Sequence, residues 1–278
     1  MQNNLSKRIV TASIVFPIIV FIILQSNQVL FRVFLNIIIF LSAFEISKMC
    51  FHNNLKEKGN TKHYLFILLI FISILFSNIL IKNNLWHYLV YFSLFLWSFV
   101  IIHIFKLKKI KIIDKFGIIY FLGFVLVLSS FYCSIYQLYL LSPSSLLFLV
   151  SLVAVADISA YFVGKKIGKN SFFAKISPNK TVEGFLGSIL VSLTLTLIFC
   201  ILNNYEFNFT LKFLFLSLLT VIISAFGDLG VSLIKRYSGN KDTGRILPGH
   251  GGILDRVDSI LPAAPIFLTF SYFLSVII

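Results

Sequence analysis

The chain has 278 residues, of which 58% are hydrophobic and 12% charged, and its formal net charge is +14. An average soluble domain carries about 45–50% apolar and about 25% charged residues, so a water-soluble globule is excluded. The apolar residues run on for about twenty positions at a time between short polar breaks, enough for a helix to cross a hydrocarbon core of about 30 Å, and the expected fold is an all-α polytopic membrane protein.

In chain order, nine spans are expected, within roughly 9–25, 28–46, 63–81, 85–105, 116–140, 146–164, 184–202, 210–230 and 258–277. Lys7-Arg8 before the first run resembles the start of a secretory signal, but no small-x-small cleavage site follows at Gln25 to Gln28, so an uncleaved first helix is expected. Cytoplasmic loops are enriched in Lys and Arg. With the N-terminus inside, every basic residue except Arg32, Lys82 and Lys212 falls on the inner face. The charge is then an orientation signal, reinforced by attraction to anionic headgroups, and nucleic acid is not expected as a partner. Two parts are expected: N-terminal spans over 1–145, and a C-terminal region over 146–278 with two cytoplasmic loops, 165–183 and 231–257, which the residues below mark as catalytic.

The first part offers little chemistry. Arg32 and Glu45 lie near opposite ends of the second span, where snorkelling or interhelical pairing is expected in preference to catalysis. His52, His63, His87 and His103 are scattered singly, and no function is assigned to them. Cys50, Cys133 and Cys200 are widely separated in apolar surroundings and are expected to pack, with no disulfide framework or metal-binding spacing.

Ionisable and helix-breaking residues gather in the second part. Asp157 lies inside an apolar helix, where a carboxylate is costly unless it faces a cavity, a cation or a partner. Tyr161 and Gly164 follow it at i+4 and i+7, on the face leading to the first inner loop. That loop, KKIGKNSFFAKISPNKTVEGFLGS, holds Ser177-Pro178, which has the form of an N-cap with proline at the first helical position. A helix is therefore expected to begin there or at Thr181. Its free N–H groups, with Lys180 and Thr181, suit a phosphate, although such a start is often only a cap and Gly184 and Gly187 also suit close helix packing.

The second loop, within AFGDLGVSLIKRYSGNKDTGRILPGHGGILDRVDSILP, is richer. If the eighth helix continues past Asp228, Ser232 and Lys235 share its face at i+4 and i+7. Lys241-Asp242 follow, then a glycine-rich turn through His250, Gly251 and Gly252, then Asp255-Arg256-x-Asp258. Converging acids among Lys and Arg, beside a flexible turn, suit magnesium-assisted phosphate chemistry, because Mg²⁺ is typically held by one or two carboxylates plus phosphate oxygens. Spacing alone reaches a membrane-embedded, cation-dependent site for a phosphorylated ligand.

The segment SLIKRYSGNKDTGRILPGHGGILDRVD resembles the signature of the phosphatidate cytidylyltransferases, or CDP-diacylglycerol synthases, at Ser232, Lys235, Arg236, Lys241, Asp242, Pro248, His250, Gly251, Gly252, Asp255, Arg256 and Asp258. Asp157 with Ala160-Tyr161 and Gly164, the run Ser177-Pro178-x-Lys180-Thr181-x-Glu183-Gly184, and Gly227-Asp228 resemble the family's earlier motifs. The likeness is strong over roughly 155–262 and rests only on hydropathy before that. It implies that CTP and phosphatidate react to give CDP-diacylglycerol and pyrophosphate, with Mg²⁺ and, as in a structurally known relative, a paired K⁺. It also implies a homodimer.

On this reading Asp228 and Asp255 hold the metal centre, with Asp258 and Asp157 in or beside it, and Lys235 takes part in catalysis. Arg236, Lys241 and Arg256 offset phosphate charge, and Ser177, Lys180, Thr181 and Glu183 bind the second phosphate group. Ser232, Asp242, His250, Gly251 and Gly252 complete the substrate contacts, the glycines by letting backbone approach CTP. A bacterial inner membrane with the site on its cytoplasmic face is expected. The alternatives are a CTP-dependent lipid kinase of the dolichol-kinase type, which releases CDP, and an ion-coupled transporter, which leaves the acid-dense loop unexplained. The DG-x-x-A-R motif of CDP-alcohol phosphotransferases is absent.

Overall fold

A computed structural model describes residues 16–25, 27–51, 61–107, 118–240, 242–244, 246 and 251–278. Helix α1 covers 16–24. It is followed by α2 (Gln28–Phe51), α3 (Thr61–Lys82), α4 (Trp86–Lys106), α5 (Ile118–Leu141) and α6 (Pro143–Ile167). A hairpin of β1 (Ser171–Phe173) and β2 (Ser177–Thr181) leads into α7 (Val182–Leu202), α8 (Phe207–Tyr237), α9 (Leu254–Val257) and α10 (Ile260–Leu274). Among the described residues eight helices are long and apolar enough to cross a membrane, α9 and α10 counting as one. The chain is an all-α polytopic membrane protein. Of the expected first span, 9–25, residues 16–24 form α1 and 9–15 lie outside the described residues.

The lipid-facing and core-facing residues separate along each helix. Leu68, Phe71, Ile72, Leu75 and Phe76 of α3 are exposed, whereas Phe66, Ile70 and Ile74 on its other side are buried. Exposed apolar side chains in this number are stable only against hydrocarbon. Helix α5 packs against α2, α3, α4 and α10, and its buried Ser130 hydrogen-bonds Ser93 of α4 at 2.6 Å. Small hydroxyl residues let helices approach and tie them where water is absent. Arg32 of α2 donates to the Tyr136 hydroxyl of α5, which is interhelical pairing.

Three departures from the expected elements shape the second part. The Ser177-Pro178 segment is strand β2, paired antiparallel with β1 through Ser171↔Thr181 and Phe173↔Ser177, so Ser177 is not a helix cap. Proline drives the residue before it away from the α region, and Phe172 and Phe173 give the opposite strand apolar side chains to bury. Phe172 stacks on Phe185 with ring centroids 4.6 Å apart. Thr181 is the true N-cap of α7, its hydroxyl accepting from Gly184 N at 3.1 Å. Helix α8 runs unbroken for 31 residues, about 46 Å at 1.5 Å per residue, so its last turns extend past a core of about 30 Å. Helix α9 then begins at Leu254, inside the expected 231–257 loop.

Close approach of α6 and α7 depends on glycine. A Cβ on Gly184 would stand 2.6 Å from Ala160 O, and one on Gly187 would meet Val163 at 2.7 Å. Helices α8 and α10 approach the same way, since a Cβ on Gly227 would lie 2.5 Å from Pro262 Cγ of α10 and 2.6 Å from Asp258 O just before it. These crossings bring Asp157, Asp228 and Asp258 to one place.

Candidate active site

A cavity of about 1240 Å³ lies where α6, α7 and α8 meet the hairpin and the 242–259 segment. Asp157, Tyr161 and Gly164 line it from α6, Lys180 and Thr181 from β2, and Asp228 and Lys235 from α8. Asp242, Gly251, Asp255, Arg256 and Asp258 close it on the remaining side. Ala156, Ala160, Phe185 and Val221 give the wall an apolar portion continuous with the spans. One cavity thus offers charge near a helix end and hydrocarbon beside it.

Two lysines are tied to acids. Lys180 forms an ion pair with Asp228, and the Lys235 ammonium meets Asp255 Oδ1 at 2.8 Å. The first tie joins β2 to α8 and the second joins α8 to α9. Asp228 Oδ1 also accepts from Ser232 at 3.2 Å, one helical turn away as the spacing expects. Asp255 Oδ2 accepts from the backbone N–H of Thr243 at 3.0 Å and of Gly252 at 3.1 Å, tying these two loop positions to α9. Ser259 links the remaining acids, its hydroxyl donating to Asp157 at 3.4 Å and its N–H to Asp258 at 2.8 Å. Asp258 is buried and shares the cavity wall with Asp157, Asp228, Lys180 and Lys235.

Among the described residues no three His, Cys, Asp or Glu side chains are grouped closely enough to hold a metal ion by themselves. The donor chemistry nonetheless suits a hard divalent cation. Carboxylates from α6, α8 and the start of the last span face one cavity, and Mg²⁺ bound by one or two carboxylates with phosphate oxygens needs no closed protein cage.

Several expected site residues stand behind the cavity wall. Glu183 accepts from the Asn170 backbone at 3.2 Å and from its side chain at 2.8 Å, clamping the entry to the hairpin. Arg236 donates through Nε to Ile176 O at 3.2 Å and pins the hairpin turn to α8. Ser177 lies within β2, and Ser232 is turned to Asp228. Gly252 faces away from the cavity, where a Cβ would run into Thr243 and the carboxylate of Glu45. Gly251, with φ of +82°, does line the cavity and occupies the left-handed region that favours glycine. Lys241 and His250 lie outside the described residues.

Glu45, for which sequence reasoning expected snorkelling or interhelical pairing, instead binds the second loop. Near the end of α2, it is 1% exposed and accepts three hydrogen bonds from the second loop. The donors are Thr243 Oγ1 at 3.0 Å, Ile253 N at 3.0 Å and Leu254 N at 2.9 Å. Its signal was an acid at the end of an otherwise apolar span, which by default marks a functional position.

The model of the cytidylyltransferase family matches residues 6–274 of this sequence. The chain belongs to that family. It is 44% identical over 132 residues to a phosphatidate cytidylyltransferase of Haemophilus influenzae, a match covering 46% of each chain. A phosphatidate cytidylyltransferase of Bacillus subtilis is 48% identical over 121 residues, 42% of each chain. One of Staphylococcus saprophyticus is 46% identical over 124 residues, 44% of this chain and 46% of the relative. In these matches the chain spans less than half the length of each relative. The family match, by contrast, takes in the N-terminal helices together with the cavity, so α2 and its Glu45 belong to the same family unit as the lysine–aspartate ties.

Proposed function

We propose that this protein transfers the cytidylyl group of CTP to phosphatidate, giving CDP-diacylglycerol and pyrophosphate. The observation that carries the reading is the cavity itself, in which Lys180, Lys235 and Arg256 share the wall with Asp157, Asp228, Asp255 and Asp258 beside an apolar face. Family membership and the names of the relatives support the choice of substrates.

A phosphate monoester has a second pKa of about 6, so phosphatidate is largely dianionic at neutral pH and needs no general base. One of its oxygens attacks the α-phosphorus of CTP. A new phosphorus–oxygen bond forms, the bond to the bridging oxygen breaks, and pyrophosphate leaves with the electron pair. The protein's task is to bring two polyanions together in line, which is positioning and electrostatics. Lys180 and Lys235 line the cavity beside Asp228 and Asp255 and supply ammonium groups that offset phosphate charge. Arg256 adds a guanidinium suited to phosphate. Asp228 and Asp255 would hold a Mg²⁺ ion, with Asp258 and Asp157 adjoining, and when bound it would offset triphosphate charge and polarise the phosphoryl oxygens. The apolar wall accepts the part of the lipid that cannot leave the bilayer.

The reading carries further expectations: a homodimer in a bacterial inner membrane, its cavity on the cytoplasmic side where CTP is available, and a K⁺ requirement beside Mg²⁺. The test is incorporation of labelled CTP by purified protein in detergent with phosphatidate and Mg²⁺, following lipid and pyrophosphate, with EDTA and K⁺-free controls. Metal-dependent CDP-lipid with equimolar pyrophosphate is expected. Release of CDP in place of pyrophosphate would redirect the assignment to a lipid kinase, and folded protein making no CDP-lipid would overturn it.

A further inference from the structure

We propose that Glu45 is a positioning residue for this reaction: from α2 it fixes the path of the loop that carries Thr243, Gly252 and Asp255. The inference rests on the cytidylyl-transfer reading for its effect on rate, but its structural part stands independently. Both carboxylate oxygens are engaged, Oε1 by Ile253 N and Oε2 by Leu254 N and Thr243 Oγ1, on the two sides of the glycine turn. Thr243 and Gly252 are also the residues whose N–H groups hold Asp255 Oδ2. Glu45 and Asp255 therefore grip the same two strands of loop, and Asp255 in turn holds Lys235 at 2.8 Å. Displacement of the loop would move the acid and the ammonium together.

The glycines fit this role. A Cβ at Gly244 or Gly252 would collide with the Glu45 carboxylate, so both positions are shaped for close approach of backbone to that side chain. The donors are separated from Glu45 by about two hundred residues of chain (198 to Thr243, 209 to Leu254), so it is the packing of α2 against α9 that brings them together. Glu45 itself does not line the cavity.

The experiment compares wild type with Glu45→Gln and Thr243→Val by hydrogen exchange at the amides of Ile253 and Leu254 and by steady-state kinetics with CTP. Gln replaces one acceptor oxygen with a donor amide, and Val removes only the hydroxyl. Faster exchange at 253–254 is expected in Glu45→Gln with α5 and α7 unchanged. A fall in kcat of about tenfold or more is expected from a displaced acid–ammonium pair, with KM for CTP within about threefold. Thr243→Val should shift both readouts in the same direction by less. Unchanged loop exchange, unchanged kcat, or faster exchange throughout the bundle would each overturn the proposal. If the wild type made no CDP-lipid, the functional reading would fall, and the exchange comparison alone would decide whether Glu45 holds the loop.

Discussion

Asp255 has three partners and no spare donor among them. Lys235 meets one oxygen and two backbone N–H groups meet the other. Asp255→Asn must turn an amide NH₂ toward at least one of these donors, which leaves a buried donor unpaired at about 1–3 kcal/mol. Turnover below about a tenth of the wild-type rate is expected, since a misplaced catalytic group costs far more than its own hydrogen bond. Retention of a higher rate in the CTP assay would remove Asp255 from the reacting centre. Gly252→Ala tests a different contact, because its methyl has no room beside Glu45 and Thr243. Overpacking of this kind costs about 1–3 kcal/mol, so a lower unfolding temperature together with lost activity is expected. A protein that kept both would show that the turn relaxes freely.

At the scale of elements, the hairpin is what brings Lys180 to the cavity. It is held by Arg236 at its turn, by Glu183 at its base and by the Phe172 and Phe185 stack. Arg236→Ala would free the Ile176 end of the hairpin without removing a cavity-lining charge. A several-fold loss of activity is expected, with faster hydrogen exchange confined to 171–181. Exchange that did not change there would show that the strand pairing suffices without Arg236. The N-cap at Thr181 belongs to the same joint, and Thr181→Ala should lower stability by about 1 kcal/mol, read as a drop in unfolding temperature. The Ser-Pro pair could be read from sequence either as a cap or as the approach to one. What decided between them was the pairing of 177–181 with Ser171–Phe173, a partner that exists only once the chain has turned back.

For the molecule as a whole, the distribution of lysine makes an orientation prediction. Lys82, at the end of α3, and Lys169, just past α6, are both exposed. In a background without the native cysteines, Lys82→Cys and Lys169→Cys should label from opposite faces of sealed vesicles, Lys169→Cys from the face that supplies CTP. Labelling of both from one face would refute the assignment of loops to sides. Sequence alone determined the all-α membrane architecture, the helix order and most span positions, because hydropathy over about twenty residues is a local property that lipid selects directly. It also pointed to segments whose residues line the cavity, since acids and glycines are concentrated after residue 145. Only the tertiary structure decided which acids and bases meet. Lys180 with Asp228, Arg236 with Ile176 and Glu45 with Thr243 join residues 48, 60 and 198 positions apart, and such pairs are set by glycine-mediated helix crossings and helix length, which no local periodicity records.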